Sequence, residues 1–306
     1  MPDWRNHVAT QVKILDGGMG RELNRIGAPF RQPEWSALAL MEGPQFVVQA
    51  HDAFINSGAQ IISTNSYAVV PFHIGEERFN AEGEVLARLS GELARESAAK
   101  AAHPVTVAGS LSPALGSYRP DLFDEAESIR IHQTLIKGLD AHVDVWLAET
   151  QSSIAEIRAA HTALAGNSKP FWVSFTLDDE FAGDDVRLRS GEPVAEAVRA
   201  ALALNVKAVL FNCSQPEVME SAVKAARQVI DAAGAQVDVG VYANAFPPQP
   251  KDAEANSGLD ELREDLGPKN YLQWAQRWVD QGATIVGGCC GISPDHIAEL
   301  AKAFTR

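Results

Sequence analysis

"VKAVLFNCSQPEVMESAVKAARQVIDAAG" (206–234) reads as one strand feeding one helix. Its opening, 206–212, is a short apolar, β-rich run. Its remainder from 216 carries a helical pattern of apolar side chains and stops at a glycine. Runs of this length are strands when turn signals bound them, and periodic stretches of a dozen or more are helices. Cys213 sits at the junction, directly past the strand.

The same unit recurs along the chain. Further apolar runs lie at 12–15, 59–64, 105–109, 143–149, 170–175, 237–243 and 283–288. Helical patterns at 44–58, 81–102, 125–140, 152–166, 193–204, 271–282 and 293–304 separate or follow them. The last opens with Ser293 as N-cap and Pro294 in the first turn. Eight strand–helix units in 306 residues predict a (β/α)₈ TIM barrel, with 1–306 as a single domain. A doubly wound open sheet is the other architecture for this alternation, but no glycine-rich dinucleotide fingerprint follows any strand. In a barrel, two long polar loops, 177–192 and 246–269, fall on the C-terminal face.

Hydrophobic residues make up 46% of the chain, enough for a large core. A formal net charge of −14 argues against a nucleic-acid partner, which needs a basic face. No run is long and apolar enough for a membrane span, and the N-terminus reads as polar, without a secretory segment. Three cysteines, two of them adjacent, do not make a disulfide framework, so a reducing cytoplasm is the expected setting.

All three cysteines fall at predicted strand C-termini. Cys213 follows strand six; Cys289 and Cys290 follow strand eight in "IVGGCCG" (285–291). Those ends share one rim of a barrel. Adjacent residues of a strand point to opposite faces. Cys289 and Cys290 therefore share a partner only where the chain has left extended geometry, and Gly287, Gly288 and Gly291 are expected to permit that turn. Three converging thiolates are a soft, tetrahedral-type site with one open position, which suits Zn2+. Buried small hydrophobes and a vicinal disulfide of Cys289 with Cys290 are the competing readings.

Strand one ends in "LDGGMG" (15–20), which brings Asp16 to the same rim. Gly17 and Gly18 are expected to bare their N–H groups there as a seat for a carboxylate; an ordinary tight turn is the alternative. Strand four ends at Glu149, a carboxylate that is costly to bury without a cation, or else a helix-capping residue. Asp16 and Glu149 together outline a seat for an ammonium group, beside a thiophilic metal. Asn65 and Tyr67 in "STNSY" (63–67) and Asn244 in "YANAF" (242–246) are further rim candidates. The eight histidines do not cluster, and none is assigned to metal or catalysis.

"LDGGMGREL" (15–23), "STNSY", "GSLSP" (109–113), "LAETQSSIAEI" (147–157), "FNCSQP" (211–216) and "IVGGCCGISPDHI" (285–297) together resemble the homocysteine S-methyltransferases, from about Val12 to the C-terminus. The resemblance implies a (β/α)₈ barrel and zinc on Cys213, Cys289 and Cys290. It implies that the amino-acid end of homocysteine meets Asp16, the Gly17–Gly18 backbone and Glu149. The implied reaction is methyl transfer from a small donor to the homocysteine thiolate, giving methionine. Tyr67 stands where the sulfonium-using members carry an aromatic, which points to S-methylmethionine ahead of S-adenosylmethionine. "VYANAFPP" (241–248) departs from the Tyr-Pro-Asn segment common in those members, so betaine is the alternative donor. A zinc-thiolate subunit acting with a corrinoid protein is the alternative of another class.

Overall fold

The computed structural model describes residues 11–180, 183, 185–248 and 261–305. Eight parallel strands form one sheet: β1 (Lys13–Ile14), β2 (Ile61–Ser63), β3 (Thr106–Leu111), β4 (Val145–Gln151), β5 (Phe171–Phe175), β6 (Ala208–Asn212), β7 (Asp238–Tyr242) and β8 (Ile285–Val286). Neighbours in sequence pair throughout, and β1 pairs β8. A parallel bridge between Leu15 and Ile61 joins β1 to β2. The Gln60 N–H donates to the Ile14 carbonyl at 2.7 Å and closes the ring. Each predicted strand is present, so the barrel and not the open sheet is the fold.

Eleven α-helices lie among the described residues: α1 (Met19–Arg25), α2 (Ala37–Glu42), α3 (Pro44–Asn56), α4 (Pro71–Ile74), α5 (Glu76–Lys100), α6 (Glu125–Leu139), α7 (Ile154–Ala163), α8 (Val194–Ala203), α9 (Pro216–Ala232), α10 (Pro268–Asp280) and α11 (Pro294–Phe304). The eight helical patterns map onto α3 and α5 to α11. The short α1, α2 and α4 were not anticipated, because one or two turns give too little periodicity to read. α9 shows the rule for the outer ring. Pro216 supplies the first turn, and Val218, Met219, Ala222, Val223, Ala226 and Ile230 bury one face. α7 starts at a capping box of Ser153 with Glu156. At α11 the box on Ser293 is closed by His296. Among the described residues no helix is long and apolar enough to cross a membrane.

Two cores follow from strands buried on both faces. The larger lies between strands and helices. The smaller fills the barrel with Leu15, Ile61, Ala108, Val145, Leu147, Trp172, Ala208, Leu210, Tyr242 and Ile285. Side chains alternate with period two. The next inward positions after Ile61, Ala108, Leu147, Trp172 and Leu210 are therefore Ser63, Ser110, Glu149, Ser174 and Asn212. An apolar plug is thus capped by a polar layer at the C-terminal rim, and the site is built on that layer.

Candidate active site

A cavity of about 110 Å³ opens at this rim. Asp16, Gly17, Gly18, Asn65, Tyr67, Glu149, Cys213, Cys289 and Cys290 all lie on its wall. The predicted rim residues therefore converge, with one exception. Asn244 is absent from the wall. It is fully buried behind it, with Oδ1 accepting from Gln215 Nε2 at 3.2 Å and Nδ2 without a partner among the described residues.

The three cysteine sulfurs lie within 4.8 Å of one another. Cys213 takes the left-handed conformation (φ 49°), which turns it out of β6. Its carbonyl accepts from the Tyr118 hydroxyl at 3.2 Å. The Arg189 guanidinium lies 4.1 Å from the Tyr118 ring centroid and pairs with Asp179 at 3.3 Å. Asp179 in turn accepts from the Gln215 N–H at 2.8 Å. The described part of the loop after β5 thus braces the turn that carries Cys213.

Beyond β8 the chain leaves extended geometry as expected. The Ile292 N–H donates to the Cys289 carbonyl at 3.1 Å, and Gly291 takes φ 85°. Gly287 and Gly288 do a different job from the one anticipated, since neither has positive φ. A Cβ on Gly287 would meet Leu15 at 2.6 Å, and one on Gly288 would collide with Ile292. They let the cysteine turn press against the exit of β1.

The vicinal alternative is not what the structure favours: it is the Cys213 and Cys289 sulfurs that meet, with Cα atoms 5.7 Å apart. Cys290, the sequence neighbour of Cys289, lies outside that contact and within 4.8 Å of both sulfurs. Cys213 and Cys289 approach each other across the rim from the ends of two different strands. A soft three-sulfur donor set at one point of a cavity wall suits a thiophilic metal ion.

Asp16 and Glu149 are buried in the cavity wall, 3% and 7% exposed. Asp16 Oδ2 accepts from the Ser63 N–H at 2.8 Å. Glu149 Oε1 accepts from the Ser110 hydroxyl, and Oε2 from the Tyr242 hydroxyl at 3.1 Å. Glu149 is no helix cap; Ser153 holds that place for α7. Neither carboxylate has a cationic partner among the described residues. Burial holds Asp16 well above the usual carboxylate range; the Ser63 N–H opposes this and the charge of Glu149 adds to it. Burial likewise raises Glu149, against the hydrogen bonds from Ser110 and Tyr242. Two buried carboxyls without a cation lower their energy when one arrives.

The glycine seat is only half as anticipated. The Gly18 N–H donates to the Ile292 carbonyl at 2.9 Å and is not offered to a ligand. The Gly17 N–H has no partner among the described residues. Both glycines are needed for packing: a Cβ on Gly17 would meet Phe54 at 2.6 Å, and one on Gly18 the Cys289 carbonyl at 2.6 Å. Asn65 Nδ2 donates to the Ser36 carbonyl at 3.1 Å. The Tyr67 hydroxyl is bonded to Ser117, and burial raises its pKa.

Residues that sequence reasoning missed complete the wall. Trp35, Tyr118, Tyr242 and Phe246 line it beside Tyr67, and so does Thr150. Tyr242 ends β7, two residues before Asn244, and inward alternation along that strand is the signal in the sequence that marks it.

Comparison with known proteins agrees with this geometry. The family model described as homocysteine S-methyltransferase matches residues 13–304. Homocysteine S-methyltransferase 1 of Zea mays is 28% identical, over 94% of this chain and 93% of its own. Selenocysteine methyltransferase of Astragalus bisulcatus is 27% identical, over 98% and 94%. Crystal structures of the homocysteine methyltransferase MmuM from Escherichia coli, 27% identical, superpose with TM-scores of 0.75 for the metallated form and 0.77 for the oxidized form. The first match covers 96% of each chain, the second 95% of this chain and 96% of the other. A barrel with three cysteines gathered at its rim, matched by this family along nearly its whole length, places the chain in the homocysteine S-methyltransferase family.

Proposed function

We propose that this enzyme methylates the sulfur of homocysteine to give methionine, with zinc held by Cys213, Cys289 and Cys290 and a sulfonium compound as methyl donor. The observation that carries the reading is the juxtaposition, on one cavity wall, of three sulfurs within 4.8 Å and two buried carboxyls without a cation. An amino acid with a thiol complements both at once.

Zinc on these cysteines supplies a Lewis acid that keeps the substrate sulfur deprotonated at neutral pH. The chain's own residues bind and orient. Asp16 and Glu149 receive the substrate ammonium, and the Gly17 N–H is a donor on the same wall for its carboxylate. Ser63, Ser110 and Tyr242 fix the two acidic side chains. Tyr67, with Trp35, Tyr118 and Phe246, forms an aromatic wall for a cationic donor. A sulfonium donor departs as a neutral sulfide, so no side chain has to protonate the leaving group. A site that works only with its three cysteines reduced favours a reducing, cytoplasmic setting, and the whole chain is read as one homocysteine-binding barrel.

The test is methionine formation by the purified, zinc-loaded chain from homocysteine and S-methylmethionine, S-adenosylmethionine or betaine at equal concentration. Turnover with S-methylmethionine ahead of the other two is expected. No methionine from any of the three defeats the reading.

A further inference from the structure

Below the cysteines lies a set of buried polar groups to which the proposed reaction gives no part. Asn212, Thr150 and Ser174 are each fully buried. Asn212 Oδ1 accepts from the Thr150 N–H at 3.0 Å and from the Ser174 hydroxyl at 2.7 Å. A backbone N–H can only donate, so these contacts fix which end of the amide is oxygen. Asn212 Nδ2 donates to Thr150 Oγ1 at 2.8 Å and approaches Cys289 Sγ at 4.0 Å. Thr150 Oγ1 thereby has its own proton left to donate, and it faces Cys213 Sγ at 4.0 Å. One donor is thus aimed at each of the two cysteines that come from different strand ends.

The backbone supports the same reading. Thr150 holds φ 59°, a conformation unfavourable for a β-branched residue. It sits where the register of β4 against β5 shifts between Ala148 and Gln151. That shift turns the Thr150 N–H and hydroxyl toward Asn212. Such strain persists where surrounding contacts over-determine it, and the amide of Asn212 makes two of those contacts.

We infer that Asn212 and Thr150 are positioning residues for the metal-binding thiolates. Asn212 donates to Cys289, Thr150 donates to Cys213, and the amide locks both donors in place. In this buried layer the N–H and O–H donors orient the two sulfurs and hold them ready for a soft cation. The inference rests on the zinc reading of the three cysteines.

The experiment measures zinc affinity of the full chain by chelator competition, together with the sulfur-to-metal charge-transfer band of the cobalt-substituted protein. Four proteins are compared: wild type, Asn212→Asp, Thr150→Val and Thr150→Ser. Asn212→Asp keeps shape and the Oδ1 acceptor but replaces the donor; Thr150→Val keeps shape and loses the hydroxyl. Each is expected to bind zinc about ten- to hundredfold more weakly, with a shifted charge-transfer band. Thr150→Ser restores the hydroxyl and is expected to return both readouts to wild type. If Asn212→Asp does not fold, the Thr150→Val and Thr150→Ser pair decides. Wild-type zinc affinity and an unshifted band in folded Thr150→Val overturn the inference alone. Failure of the wild type to take up zinc overturns the zinc reading and the inference with it.

Discussion

The hydroxyl of Tyr242 donates to Glu149 Oε2 across 3.1 Å and ties the end of β7 to the end of β4. The two strands are not neighbours in the sheet, so the contact spans the mouth of the barrel. It leaves Glu149 aimed into the cavity with its charge unmatched by any cation among the described residues.

Glu149→Gln is therefore expected to raise the KM for homocysteine while leaving the donor KM near wild type. A charge-assisted hydrogen bond contributes roughly 1.5–3 kcal/mol, which corresponds to roughly a ten- to hundredfold rise. Tyr242→Phe removes one support and keeps the charge, so its effect is smaller. Steady-state kinetics with each substrate varied in turn checks both; a raised donor KM with an unchanged homocysteine KM would reverse the assignment.

Asp16 and Glu149 also make the ligand-free protein pH-sensitive. Burial holds both carboxyls above their ordinary range, so the folded chain binds these protons more tightly than the unfolded chain. Stability then falls as pH rises from about 4, the unfolded value, through the raised folded values. Asp16→Asn removes that penalty. Its melting temperature is expected to exceed that of wild type at pH 7 and to converge with it near pH 4, measured without substrate. Homocysteine affinity follows the opposite trend, strengthening as the carboxyls ionise. A variant no more stable than wild type at pH 7 would show that the charge of Asp16 is already compensated.

Substitution of any one cysteine tests the metal site directly. Cys213→Ser, Cys289→Ser and Cys290→Ser are each expected to lose most bound zinc and nearly all activity, read by metal analysis and methionine formation. Full activity in a metal-free Cys290→Ser protein would remove zinc from the mechanism.

Removal of zinc under air is expected to join Cys213 to Cys289 rather than Cys289 to Cys290. The two Cα atoms stand 5.7 Å apart, within the usual span of a disulfide. Peptide mapping of the chelated, air-exposed protein identifies the bond. Activity should return with reductant and zinc together and with neither alone. A vicinal cross-link in the map would contradict the expected pairing.

Tyr67→Leu probes the donor side. Cation–π contact with a cationic methyl donor is worth roughly 0.5–2 kcal/mol, so the donor KM should rise about two- to thirtyfold. Tyr67→Phe keeps the ring while losing the hydrogen bond to Ser117, and its donor KM should stay near wild type. An unchanged donor KM in Tyr67→Leu would assign the ring to packing. Faster turnover of betaine than of either sulfonium compound would change the donor and leave the cysteine site intact.

The eight strands, the eight long helices and the convergence of Cys213 with Cys289 and Cys290 were legible in the chain itself. Apolar runs and helical spacing are local signals, and a closed parallel barrel puts every strand's C-terminal end on one rim. Asp16 and Glu149 were legible for the same reason, as charges that end apolar runs. What each glycine does was not. Gly17, Gly18, Gly287 and Gly288 answer to Phe54, Cys289, Leu15 and Ile292, partners brought close only by folding. Likewise Tyr242 reaches Glu149, Asn212 reaches Thr150, and Asn244 turns away from the cavity. Composition and periodicity specify which face of a strand is inward. Which inward groups then meet depends on the stagger of strands around the barrel and on one register shift in β4, and those are properties of the closed sheet.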